Sequence, residues 1–156
     1  MTMRKAFRRF VCNGKNAVDA VAAIEFAIIA PVLVLALICT ADLGQGIYRK
    51  MQVENAAQAG AQYAVVHGFA ASSISNAVTQ ATSFSRINSS PAPFQSCGCA
   101  SDTGITTADC SSTCSGGVAP GTYVTVSAQG TYIPILRYPL IPDSFTFASQ
   151  STVRLQ

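Results

Sequence analysis

The stretch "AVAAIEFAIIAPVLVLALICTADLG", Ala20 to Gly44, decides how this chain folds. Ala20–Ala41 is 22 residues with one charge, Glu25. As a helix it would be about 33 Å long, against a hydrocarbon core of about 30 Å. Val, Ile, Leu and Phe occur eleven times in 21–41. At about −0.3 to −0.6 kcal/mol each, they favour insertion by roughly 3–7 kcal/mol. That carries one acid, which costs about 3 kcal/mol at the bilayer centre and less near an end. The run therefore reads as a membrane span with Glu25 in place. A secretory signal would have an apolar core of about 7–15 residues and a small-x-small cleavage site. "ICTADLG" offers none, and "LIC" lacks the small residues a lipidation site needs before Cys39.

Charge sets the orientation. Residues 1–24 hold five basic groups against Asp19, a net of +4, whereas 25–156 hold five basic groups against six acids, a net of −1. A basic leader before a nearly neutral body excludes a nucleic-acid-binding role, which needs a basic folded surface. It predicts a cytoplasmic N-terminus, with residues from about 45 onward outside. The 156 residues leave room for one modest domain beside the span.

The helical pattern continues past the membrane. "LGQGIYRKMQVENAAQAGAQYAVV" (43–66) has no proline and is rich in helix formers after Gly46. Ala56, Gly60 and Ala64 recur every four residues, flanked by Ala57 and Ala61, with Glu54, Asn55, Gln58 and Gln62 elsewhere on the helix. This is a small-residue stripe along which another helix can approach closely, or else alanine-rich filler. One helix over 21–66, 46 residues, would be a stalk about 69 Å long. Pro31 should kink it, and Gly44 and Gly46 mark a softer joint at the bilayer exit.

The expected organisation is a leader (1–20), a transmembrane helix (21–43), a stalk helix (44–66) and an extracytoplasmic α+β domain (67–156). In that domain Ser72 or Ser73 would cap a short second helix with Ile74, Ala77, Val78, Ala81 and Phe84 on one face. Residues 87–121 read as a Pro-, Gly- and Ser-rich loop. "TYVTVSAQ" (122–129), "TYIPILRY" (131–138, weakened by Pro134) and "SFTFASQSTVRL" (144–155) read as about three strands of a small antiparallel sheet, covered by the helices.

Cys97, Cys99, Cys110 and Cys114 cluster in the segment expected outside. In an oxidising compartment they read as two disulfides with three possible connectivities, the rivals being a zinc site or a redox-active "CGC". The spacing lacks the usual C-x2-C knuckle, so no metal and no cofactor is assigned. Cys12 and Cys39 read as unpaired. His67 is the only histidine, at a helix break, and no nucleophile has an evident base. The chain therefore reads as a non-enzyme.

Glu25 calls for a partner, because a carboxylate in an apolar setting needs a cation or an interface to snorkel to. Cutting the leader between Ala20 and Val21 would give Val21 a free α-amine of pKa about 7.7–8.0, mostly protonated at neutral pH. Glu25 would then be the fifth mature residue, one helical turn along.

These residues resemble the N-terminal region of TadE-like minor pilins, or pseudopilins, of the Tad (Flp) pilus. In that family a basic leader ends in a small residue, followed by four small or apolar residues and Glu-Phe. Here these are Ala20, Val21–Ile24, Glu25 and Phe26. Pro31 matches the family's proline, and Asn55-Ala56-Ala57, Gly60-Ala61 and Tyr63-Ala64 match its "NAAxxGAxYA" signature. The family typically has Gly before the cut, where this chain has Ala20. The tail from 122 to 154 resembles the family's β-rich ending more loosely. The resemblance implies a single-pass inner-membrane protein processed by a prepilin peptidase. It also implies partners among other Tad/Flp pilins and inner-membrane assembly proteins, and a role in surface adhesion and biofilm formation. The rival expectation is an uncleaved, membrane-anchored extracytoplasmic binding or adhesion module.

Overall fold

A computed structural model describes residues 17–102, 104–135 and 142–155. Most of the leader, with Cys12, lies outside them. The chain divides into two compact units, one ending at Ala41 and one running from Asp42.

The first helix, α1 (Ala17–His67), is continuous for 51 residues, through Pro31, Gly44 and Gly46. In the first unit it is long and apolar enough to cross a membrane, and among the described residues none of that apolar stretch is buried. The large apolar side chains from Val21 to Leu37 are 48% to 70% exposed. So much apolar surface calls for lipid or another protein. Thr40 Oγ1 donates to the Ala36 carbonyl (2.7 Å), so this hydroxyl is satisfied within the helix.

In the second unit, the C-terminal part of α1 packs with α2 (Ala71–Gln80) on a five-stranded antiparallel sheet. The strands are β1 (Ile87–Asn88), β2 (Phe94–Ser101), β3 (Gly104–Thr107), β4 (Gly121–Tyr132) and β5 (Phe145–Arg154). Strand β4 is central. It pairs with β5 along Tyr123–Tyr132, and on its other side with β2 near its start and β1 near its end. Strand β3 extends the sheet beyond β2. Alternation sends Val124, Val126 and Ala128 of β4 to one face. There they meet Val53, Ala56, Ala57, Ala61 and Ala64 of α1, Ile74 and Val78 of α2, and Phe84 and Ile87. Phe147, Val153 and Leu155 border this core. On the opposite face Thr125 Oγ1 and Thr152 Oγ1 share a hydrogen bond (3.0 Å), and Ser89 Oγ donates to the Ser127 carbonyl (3.1 Å).

The α+β class agrees with the expectation from sequence, and the sheet is larger than expected. The expected strands 122–129 and the start of 131–138 are one 12-residue strand, β4. It runs past Gly130 because a glycine there lets α1 and Phe84 sit close: a Cβ would lie 2.8 Å from Val53 Cγ2. The strand stops before Pro134, which has no N–H for a ladder. Residues 136–138 lie outside the described residues. The expected loop 87–121 contains β1, β2 and β3. Pairing with β4 overrides a Ser-, Gly- and Cys-rich composition of low intrinsic strand preference. Helix α2 begins after Ala70, which makes no side-chain cap, so neither Ser72 nor Ser73 is its N-cap.

Candidate functional site

The proposed cut falls within α1, between Ala20 and Val21, both helical. Val21, Glu25 and Phe26 are exposed, and Glu25 lies one turn past Val21. Among the described residues no cation is within ion-pair distance of Glu25; the one ion pair there joins Lys50 to Glu54 (3.9 Å), at i and i+4 on the surface.

The small-residue stripe lies inside the second unit. Ala56, Ala57, Gly60, Ala61 and Ala64 are all buried. Gly60 is the tightest point: a Cβ there would stand 2.5 Å from Val78 Cγ2 and 2.8 Å from Val126 Cγ1. The helix that approaches this stripe is thus the chain's own α2, with β4 beside it.

The four clustered cysteines form two bonds, Cys97–Cys110 and Cys99–Cys114, with Cα separations of 5.1 and 5.6 Å. Cys97 and Cys99 alternate along β2 and so point the same way, each to a different partner in the 108–118 segment. No thiolate of the four is left for zinc, and the "CGC" pair does not close on itself. Cys39 is a free, exposed cysteine. His67 caps the end of α1, its ring stacked on Tyr63 (centroids 4.2 Å apart) and its Nδ1 3.2 Å from the Tyr63 carbonyl.

Sequence reading missed a clamp at the start of the second unit. The Tyr132 hydroxyl donates to the Asp42 carboxylate, and lies 3.1 Å from the Asp42 carbonyl oxygen. The Ile135 N–H also donates to that carboxylate (3.1 Å). Burial, then the bond to Asp42 and its charge, push the Tyr132 hydroxyl up to about 12, against a smaller opposing pull from Arg49. The phenol therefore stays a donor at any physiological pH. Nearby, Arg49 Nη1 donates to Gln52 Oε1 (2.9 Å), and its guanidinium lies 4.5 Å over the Phe84 ring. The available signal was Asp42 itself, an acid directly after the apolar run, but its partner lies 90 residues away.

A model of the TadE-like protein family matches residues 20–62. The matched segment runs from the residue before the proposed cut, through Glu25 and Pro31, into the stripe. Neither the curated proteins nor the solved structures contain a match to this chain.

Proposed function

From this TadE-like segment we infer that the chain is a minor pilin, or pseudopilin, of a Tad (Flp) pilus: a structural subunit, not an enzyme. In this reading it enters the inner membrane with its N-terminus cytoplasmic, and a prepilin peptidase cuts between Ala20 and Val21. The new α-ammonium of Val21, its own or a neighbour's, becomes the counter-ion of Glu25. An ion pair is worth more in hydrocarbon than in water, because each charge is otherwise left unsolvated. Processing thereby turns an anchor into a subunit that docks with other Tad/Flp pilins and inner-membrane assembly proteins, supporting adhesion and biofilm formation. The observation that carries this reading is the placement of the family match on an uncovered apolar helix bearing Glu25.

The test is the mature N-terminus, read by mass spectrometry of the membrane-fraction protein in cells with an active prepilin peptidase. A chain beginning at Val21 supports the reading; an intact leader defeats it. Glu25→Ala should insert as well as the parent or better, yet impair piliation. Normal piliation in that variant rejects the counter-ion role. A specific observation favours a second reading, a permanently tethered module: Ala20 stands where the family typically has Gly. The same N-terminal measurement separates the two.

A further inference from the structure

Near the Asp42–Tyr132 clamp the second unit has an open groove of about 560 Å³. Its walls come from three places: Gln45 and Arg49 on α1, Ser83–Arg86 after α2, and Thr131–Ile133 at the end of β4. Two guanidiniums and several hydroxyl and amide groups line it, and no carboxylate does. Among the described residues neither Arg49 nor Arg86 has an acidic partner within ion-pair distance. The nearby acid, Asp42, already accepts from Tyr132 and Ile135. Arg49 is held in place by Gln52 and Phe84, which fix its planar fork without neutralising it.

Donor-rich and cationic, with no carboxylate in its lining, such a groove suits an anion with several acceptor oxygens. Chain position narrows the choice. Gln45 and Arg49 come four and eight residues after Ala41, the end of the apolar run. At 1.5 Å per residue that is about 6 and 12 Å of helix, against a headgroup layer of roughly 5–7 Å per leaflet. Gln45 thus falls at the depth of that layer, and Arg49, held by Gln52 and Phe84, stands one helical turn beyond it.

We propose that this groove binds the phosphate of an anionic phospholipid headgroup, with Arg49 and Arg86 as its charged contacts. The proposal rests on residues 21–41 spanning a membrane, and on nothing else in the pilin reading. Bound lipid would hold α1, the 83–86 segment and the end of β4 together at the face of the bilayer where the chain leaves it.

The full chain, purified in mild detergent and titrated with phosphatidylglycerol or phosphatidylcholine, would be examined by native mass spectrometry, with inorganic phosphate as a third titrant. Phosphatidylglycerol should be retained in preference to phosphatidylcholine. Arg86→Gln, which alters an exposed side chain, should weaken that retention by about five-fold, the effect expected of one interfacial arginine. Lys50→Gln removes the same charge outside the groove and should leave retention unchanged. Ser85→Asp, which adds an anion to the lining without removing an arginine, should weaken retention as Arg86→Gln does. Equal retention of the two lipids, or equal loss in Arg86→Gln and Lys50→Gln, would overturn the proposal. Saturable binding of inorganic phosphate without lipid selectivity would overturn the headgroup assignment. Flotation of each variant with membranes reports the span separately, so failure of the groove and failure of the anchor are distinguishable.

Discussion

Gly60→Ala is the sharpest test of how the second unit is packed. The added Cβ would lie 2.5 Å from Val78 Cγ2 and 2.8 Å from Val126 Cγ1. Carbon atoms prefer about 3.5–4.0 Å, so both contacts are well inside the repulsive wall. Neither neighbour can swing away easily, because Val78 and Val126 are fully buried and β-branched side chains have restricted χ1. Relief requires α1 to move off the sheet, and overpacking of this kind costs about 1–3 kcal/mol. Alanine also gains about 0.8–1.0 kcal/mol over glycine from helix propensity. Gly44→Ala provides the reference, since a Cβ there meets nothing within 4 Å in the same helix. Propensity largely cancels between the two, leaving the clash, so Gly60→Ala should be less stable than Gly44→Ala by about 1–3 kcal/mol. The chain has no tryptophan, so near-ultraviolet circular dichroism of its tyrosines, Tyr123 and Tyr132 among them, would follow urea unfolding of the full chain in mild detergent. If the Gly60→Ala midpoint equals or exceeds that of Gly44→Ala at unchanged slope, the close approach of α1 to α2 and β4 is wrong.

The two disulfides interlock, first cysteine to third and second to fourth, closing overlapping spans of 13 and 15 residues. Either alone closes nearly the same loop, so losing both should cost about 3 kcal/mol while losing either one costs less than about 1 kcal/mol, a non-additivity readable by urea melts of paired Cys→Ser variants. Peptide mapping without reduction should recover Cys97 with Cys110 and Cys99 with Cys114. The Tyr132 hydroxyl, raised to about 12 from an ordinary 10.0, favours folding in its neutral form. Its contribution, up to about 2 kcal/mol, is therefore fully present below about pH 10 and lost as pH rises toward 12. Ultraviolet difference absorbance should show a late-titrating phenol that Tyr132→Phe removes along with about 1–2 kcal/mol of stability.

What was legible in the sequence follows the reach of each signal. The span, the long helix and the 144–155 strand announce themselves within a few neighbouring residues. Period and composition suffice there, because lipid or one core face dictates them. The stripe was visible as small residues every four positions, yet sequence alone could not say that Val78 and Val126 fill the space above Gly60. Strands β1 and β2 were hidden because their pairing partner is remote: Gln95 meets Val124 and Ile87 meets Gly130. Phe94–Ser101 has no apolar alternation to betray it, since the side chains at its cysteine positions are bridged rather than packed. The Asp42–Tyr132 clamp and the arginine groove are assembled from segments up to 90 residues apart, beyond any local pattern.

Burial of the stripe constrains where assembly can be encoded. One side of α1 from Val53 to Ala64 is committed to the chain's own core. The uncovered apolar side chains of α1 lie mainly in 21–51. Within 21–41 Glu25 is the one ionisable group apart from the thiol of Cys39. If the pilin reading holds, partner choice must run largely through shape in this segment and through the placement of that carboxylate. A leucine–alanine span of the same length replacing 22–41 behind an intact leader and Val21 would therefore leave the second unit's disulfides and tyrosine dichroism unchanged, because that unit's core begins at Val53. Incorporation into pili should be lost, and restoring glutamate at position 25 alone should recover a measurable part of it. Normal incorporation of the span lacking glutamate would show that the acid is incidental, and that assembly is directed from the exposed surface of the second unit.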